Sequence, residues 1–447
     1  MRALVRALDR HWFEPGSLRD LAIVRIVLAA ATWYFVIPRE YGRLQLLAGA
    51  SDALFQPLPA LKLLLLPLGW GARPSHEMLI GLFVVANAAA LFSLIGLFSR
   101  ISIGVLAYSV TALVTHAYSY GELHHPQTLI VIMLWVLTVT PIGHSLSVDA
   151  VMRRWRHATK AGAFHPDPVN ADLSIHARWP LRLGQWLLAL AYLSAAASKV
   201  EGAGLGWMNG TTLAYYLAYD GMMWNRPLGV FLAQLGWLML ALSVFTIIFE
   251  GTFWAAIVVP RAAWLYISSG IALHIGIYVA QRAPFFTFMA LYIVFLPQLR
   301  DDLRWARAKL RRRRQAEAAP AADAPPRTAV IYDGLCPLCI RTMTVVDVLD
   351  GGQRLEYVDL ETDWAQAQRR APGLTRDAAL AAMHVVTPDG RTHRGFDGFR
   401  VLAGATPALL PLAPLLYVPP IPPIGRRIYG WVAARRPRRL CRDVCEL

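Results

Sequence analysis

Cys336-Pro337-Leu338-Cys339 is the pattern in this chain with the most direct chemistry. Two thiols at this spacing can exchange with a disulfide. The first attacks as a thiolate and the second resolves the mixed disulfide. A thiolate needs stabilising, and backbone N–H groups at a helix N-terminus do that. The surrounding residues provide such a place. Thr328-Ala-Val-Ile-Tyr-Asp333 reads as a short strand, and Pro337 to about Leu349 reads as a helix. Pro337 suits a first helical turn, where its missing N–H costs nothing. The same spacing serves zinc if Cys441 and Cys445 supply the other two thiolates. Inert buried thiols are a third reading. The position after a strand favours exchange, and no metal is assigned. The chain has four cysteines, all outside its long apolar runs, so it is not a disulfide scaffold.

Further elements are needed to hold such a motif. Leu355 to Leu360 reads as a second strand, and Ala378 to Ala382 as helical with Asp377 as its N-cap. Met383 to Thr387 is a third strand, and Pro388-Asp389-Gly390 turns the chain into a fourth. Strand, helix, strand, helix, hairpin is an α/β plan. Residues 406–424 are apolar but hold seven prolines, which excludes a regular span. This stretch is expected to cover the small domain or to rest on a membrane surface.

Asp333-Gly-Leu-Cys336-Pro-Leu-Cys339 resembles the Asp-x-x-Cys-x-x-Cys signature of the DCC family of thioredoxin-like thiol–disulfide oxidoreductases. The hairpin from His384 to Gly390 and the segment Gly395-Phe-Asp-Gly-Phe-Arg-Val-Leu402 are also similar to that family. The resemblance covers about residues 328–445. It implies that Cys336 attacks and Cys339 resolves. Ordinary thioredoxins place a cis-proline just before the third strand, whereas Leu380 to Met383 holds no proline, so substrate docking is expected to differ.

The rest of the chain is of another kind. Charged residues make up 16% of the 447 residues, against about 25% in an ordinary soluble protein. The apolar residues are gathered into runs long enough for a bilayer. Eight spans are expected, at roughly 20–37, 77–98, 101–117, 127–143, 183–200, 227–248, 262–280 and 284–298. The apolar pieces 57–70 and 252–259 are too short to cross. The first of these reads as re-entrant or interfacial because of Pro57, Pro59 and Pro67.

A net charge of +15 would suggest nucleic acid in a soluble protein. Here the arginines cluster at the ends of apolar runs, and no nucleic-acid module is recognisable. Arg2, Arg6, Arg10 and Arg19, then Arg153, Arg154, Arg156 and Lys160, then Arg300 to Arg314 fall on one side if the span count is even. That side is expected to be the cytoplasm, so the N-terminus and the C-terminal domain are both cytoplasmic. Arg39, Arg43, Lys62 and Arg73 fit this less well. No cleavable signal peptide is expected, because the opening residues are charged and include Pro15. The organisation is a multi-helix membrane domain at 15–300, a basic and then Ala/Pro-rich linker at 301–327, and a small redox domain at 328–447.

Ionisable residues in spans are the ones to question. Arg25 lies in the first apolar run and is expected to snorkel. His116 and His274, also inside spans, are expected to be packed or hydrogen-bonded rather than catalytic. Lys199 and Glu201 close the fifth span, and His124 and His125 precede the fourth. Ser17-Leu-Arg-Asp-Leu-Ala-Ile-Val-Arg25-Ile26, Tyr192-Leu-Ser-Ala-Ala-Ala-Ser-Lys199-Val-Glu201 with Gly206-Trp207-Met-Asn-Gly210, and His124-His125-Pro-Gln-Thr-Leu together resemble the HTTM domain shared with vitamin K-dependent γ-carboxylases. That resemblance covers about residues 15–300. It implies Lys199 as a base toward a quinone-like lipid, with His124 or His125 assisting. Two departures count against glutamate carboxylation, which is not expected. Ala196 replaces a glycine of the lysine motif, and the large lumenal part that binds the carboxylase substrate is missing.

The expected function is therefore a membrane-bound thiol–disulfide oxidoreductase in a bacterial inner membrane. Its partners are the lipid bilayer and a thiol or disulfide protein, without nucleic acid, and a quinone-like lipid is the one cofactor the resemblance offers. The expected topology sets Lys199 on the opposite face from the cysteines, so the lipid itself would carry the electrons. The alternatives are a redox-sensing transporter or lipid-binding protein, and a maturation factor for exported proteins.

Overall fold

The computed structural model describes residues 2–66, 73–121, 127–164, 166, 172–315, 327–350 and 354–438. The chain divides into two compact units, Met1–Ile142 with Leu173–Ala318, and Gly143–Asp172 with Ala319–Leu447.

Among the described residues, the regular structure of the first unit is helical apart from a two-residue strand pair. Among the described residues, four of its helices are long and apolar enough to cross a membrane: Leu18–Leu47, His76–Ile95, Ser99–Tyr118 and Ala263–Gln281. The apolar sequence expected at 227–248 forms two helices, Pro227–Ala233 and Gly236–Thr252, bent by 96° at the break between them. At 127–143 the apolar helix Thr128–Thr138 has 11 residues. The stretch 183–200 lies inside the 29-residue helix Ile175–Ala203. The stretch 284–298 is divided among Phe286–Leu291, a 3-10 turn at Tyr292–Phe295 and the start of Leu296–Gln315. The Pro-broken piece forms only the seven-residue helix Pro59–Leu65 within its described part.

The first long helix continues past Pro38. A π turn at Thr32–Val36 precedes it, and Pro38 falls in the first turn of the segment that follows. A proline there needs no intrahelical N–H partner. Arg25 does not snorkel. Its side chain is fully buried, and Nη1 donates to the Ile142 carbonyl at 2.6 Å. A guanidinium left without acceptors among apolar side chains would be far costlier than one bonded to a carbonyl.

The second unit is built on a four-stranded sheet. Its elements are α1 (Val148–Ala161), β1 (Thr328–Tyr332), α2 (Pro337–Asp350), β2 (Leu355–Asp359), α3 (Trp364–Arg370), α4 (Arg376–Ala381), β3 (His384–Val386), β4 (Thr392–Arg394), α5 (Phe396–Ala405) and α6 (Ile421–Arg435). The strand order is β2-β1-β3-β4. β1 runs parallel to β2 and antiparallel to β3, with Val330 opposite Tyr357 and Val385. β3 and β4 pair antiparallel, with Val385 opposite His393.

All five β1 residues are buried, as expected of a central strand covered on both faces. One face holds Val330, Tyr332, Ile340, Met343, Val385 and Leu402. The other holds Ala329, Ile331, Val358, Leu360 and Ala367. The N-cap of α4 is Thr375, whose hydroxyl accepts from the Ala378 N–H, and Asp377 sits in the first turn instead. Helix α1 joins this unit from the basic segment at 143–172. Ser147 caps it, Arg154 pairs with Asp347 of α2 at 2.5 Å, and the Trp155 indole donates to the Arg341 carbonyl.

Candidate active site

The dithiol is positioned by the way the chain leaves β1. The Cys336 N–H donates to the Asp333 carbonyl at 3.2 Å, and one Asp333 carboxylate oxygen accepts from the Leu335 N–H at 3.0 Å. This tight turn brings Cys336 to the start of α2, where its carbonyl accepts from the Ile340 N–H. Gly334 lets the turn pass close to the Asp359 side chain. A Cβ there would fall inside the contact distance of the Asp359 carboxylate at the end of β2. Gly334→Ala is expected to destabilise the C-terminal unit by about 1–3 kcal/mol through this overlap. The loss would be read as a lower denaturant midpoint for exposure of Cys336 to an alkylating reagent.

Cys336 and Cys339 are free thiols; Cys336 is 0% exposed and Cys339 is partly covered. The Cys339 N–H points at the Cys336 sulfur, 3.4 Å away. The Cys336 thiol is held down to about 6, chiefly by a hydrogen bond from the Cys339 thiol, helped by the Cys339 and Leu338 N–H groups and the Arg436 charge, against the opposing effect of burial. Cys339 is pushed far up by the same bond and by burial. The two thiols thus divide the work, with an anion on Cys336 and a retained proton on Cys339.

The C-terminal segment closes over this end of the sheet. Arg436 Nη1 lies 3.4 Å from Cys339 Sγ, and Nη2 bonds the Leu380 carbonyl. Arg438 bridges Asp333 at 3.2 Å and Glu361 at 2.5 Å. The Tyr429 hydroxyl accepts from the Met383 N–H at 2.9 Å. Leu380 to Met383 is the stretch that lacks the cis-proline of ordinary thioredoxins. Here its backbone is bonded to side chains from beyond α5. Sequence reasoning did not find Arg436, Arg438 or Tyr429, since no local pattern sets them apart from neighbouring arginines and aromatics.

Residues 330–442 match the family model of the DCC1-like thiol-disulfide oxidoreductases. The match supports a thiol–disulfide oxidoreductase function for this part of the chain, and it contains both cysteines of the dithiol. No curated protein and no solved structure matches the chain. Among the described residues there is no group of three or more His, Cys, Asp or Glu side chains that could hold a metal ion. Cys441 and Cys445, the other half of the zinc reading, lie outside the described residues.

In the first unit, Lys199 is tied to a residue the sequence reading passed over. Its Nζ lies 2.7 Å from Glu250 and 3.3 Å from the Ala195 carbonyl, over the Trp207 ring at 5.5 Å. A lone acid in the apolar run Gly236–Thr252 was the available signal. His124 and His125 lie outside the described residues. His274, on Ala263–Gln281, bonds the Tyr192 hydroxyl at 2.8 Å, and Tyr192 in turn bonds Tyr292. His116 packs beside Phe55 and Tyr120.

Proposed function

We propose that the chain is a membrane-bound thiol–disulfide oxidoreductase in which Cys336 attacks and Cys339 resolves. The observation that carries this reading is the pairing of a low-pKa Cys336 with the N–H and thiol of Cys339 at the start of α2. The strand order β2-β1-β3-β4 with a single parallel pair supports a thioredoxin-like plan for the domain. Four long apolar helices support membrane insertion. The arginine distribution supports an even number of spans, with both the N-terminus and the redox domain in the cytoplasm.

In the reducing direction, the Cys336 thiolate bonds to one sulfur of a partner disulfide, and the other sulfur leaves as a thiolate. Cys339 then gives up its proton and attacks the Cys336 sulfur. This forms the Cys336–Cys339 disulfide and frees the partner's second thiol. Two electrons pass to the partner, and every step reverses for oxidation. Once Cys336 is in the mixed disulfide, it no longer carries the charge that held the Cys339 proton. The resolving thiol is therefore released for reaction at the step that needs it. A quinone-like lipid in the membrane unit, with Lys199 as base, completes the reading taken from the HTTM resemblance.

The test is capture. Full-length Cys339→Ser in its native membrane should accumulate a reducible adduct on Cys336. Cys336→Ser with Cys339→Ser should accumulate none. A single variant as free of adduct as the double would end the oxidoreductase reading.

A further inference from the structure

Helix α6 turns its apolar face outward. Its inner face packs on α5. Gly425 sits against the Phe396 ring so closely that a Cβ would collide with it, and Tyr429 lies against Gly395 and Phe399. Arg426 is bonded to Asp397 at 2.9 Å. The opposite face carries Ile421, Ile424, Ile428 and Trp431, spaced three, seven and ten residues from the first, within one narrow arc of the helix. Ile424, Ile428 and Trp431 are 49%, 58% and 59% exposed. The Pro-rich approach extends the surface, with Leu412 and Leu415 each 54% exposed. Soluble domains rarely leave so large an apolar patch open without a use for it.

Charge indicates what covers it. Residues 406–438 hold no Asp or Glu and five arginines, of which Arg426 and Arg438 are paired with carboxylates and Arg436 faces Cys339. Arg427 is exposed, and Arg435 lies over the Trp431 ring at 4.6 Å. Apolar side chains on one helix face, a tryptophan and flanking arginines are the features of a helix lying in the plane of an anionic bilayer surface. A second copy of the same patch would bring arginines against arginines.

We propose that α6 and the preceding Pro-rich stretch form an interfacial anchor, which seats the redox domain on a lipid surface bearing anionic headgroups. The following residue, Arg436, touches Cys339. The anchor therefore holds the dithiol close to the bilayer surface, within reach of a membrane-attached partner. This inference rests on the membrane reading of the first unit, and the experiment separates the two.

The full chain, with Cys336, Cys339, Cys441 and Cys445 replaced by Ser, receives one cysteine at a time for an environment-sensitive label: Ile428→Cys, Arg391→Cys on the exposed hairpin, or Val85→Cys on His76–Ile95. Each is placed in vesicles of phosphatidylcholine with 30% phosphatidylglycerol (about the anionic share that gives a useful surface potential) and probed with doxyl-labelled lipid and aqueous iodide. The expected result is several-fold quenching by doxyl lipid and protection from iodide at position 428, with the reverse at 391. Quenching at 428 should weaken in phosphatidylcholine alone. A label at 428 as open to iodide as that at 391, or shielded from iodide without doxyl quenching as a protein partner or second copy would shield it, overturns the anchor. Absence of doxyl quenching at position 85 would overturn the membrane reading itself.

Discussion

Alkylation of the reduced protein at Cys336 by iodoacetamide should rise with pH and level off, with its midpoint near pH 6. Cys336→Ser should leave no measurable thiol–disulfide exchange. The sign follows from the direction of the shift. Below the folded-state pKa the thiol is protonated and unreactive; above it the thiolate is fully formed, so lowering the pKa opens reactivity at lower pH. An ordinary thiol near 8.5 is only about 3% ionised at pH 7, whereas one at about 6 is roughly 90% ionised. Arg436→Met removes a cation that contributes to this shift, so the midpoint should move toward the ordinary value. The plateau gives separate information, because Cys336 is fully buried and reaction requires opening. Arg436 also ties the C-terminal segment to Cys339 and Leu380, so the variant should raise the plateau while moving the midpoint up. A midpoint near 8.5 in the unmodified protein would remove the basis for assigning Cys336 as the attacking thiol.

The parts of this site visible in the sequence are those that depend on neighbours a few residues apart. Asp333, Gly334, Cys336 and Cys339 form one turn and one helix start, and each contact within them spans two to four residues. The positions of β1 to β4 were legible for the same reason. The closure over the dithiol was not. Arg436 meets Cys339 across 97 positions and Arg438 meets Asp333 across 105. Nothing in a run of arginines says which one folds back. Helix α1 was hidden by its charge. Arg153, Arg154 and Arg156 read as a cytoplasmic loop, yet Ser147 caps a helix there and Arg154 is spent on Asp347. Among the described residues of the first unit, four of the apolar runs fall on helices long and apolar enough to cross a membrane, but 227–248 is bent by 96° and 284–298 is divided into shorter pieces, and single side chains were misjudged. Arg25 looked exposed near a span end because its acceptor, Ile142, lies 117 residues away.

Lys199 offers the sharpest division between a structural and a chemical role. Its ammonium meets Glu250, which is only 8% exposed on an apolar helix. Removing one member of a buried pair leaves the other charge without compensation, at a cost of about 3–5 kcal/mol. The Lys199 side chain is 26% exposed, so water reaches part of the pair and the low end of that range applies. Lys199→Met should therefore lower the thermal midpoint of the protein in detergent or nanodiscs, and Lys199→Met with Glu250→Gln should recover most of the loss. Lys199→Arg distinguishes the roles. Arginine keeps the positive charge beside Glu250 but stays protonated at any working pH, so it cannot serve as a base. If Lys199 acts on a quinone-like lipid, Lys199→Arg should fold with near-normal stability and lose quinone-driven reoxidation of the Cys336–Cys339 dithiol. Retained reoxidation in a stable Lys199→Arg protein would confine Lys199 to holding Ile175–Ala203 against Gly236–Thr252, and the thiol chemistry of the C-terminal unit would stand without it.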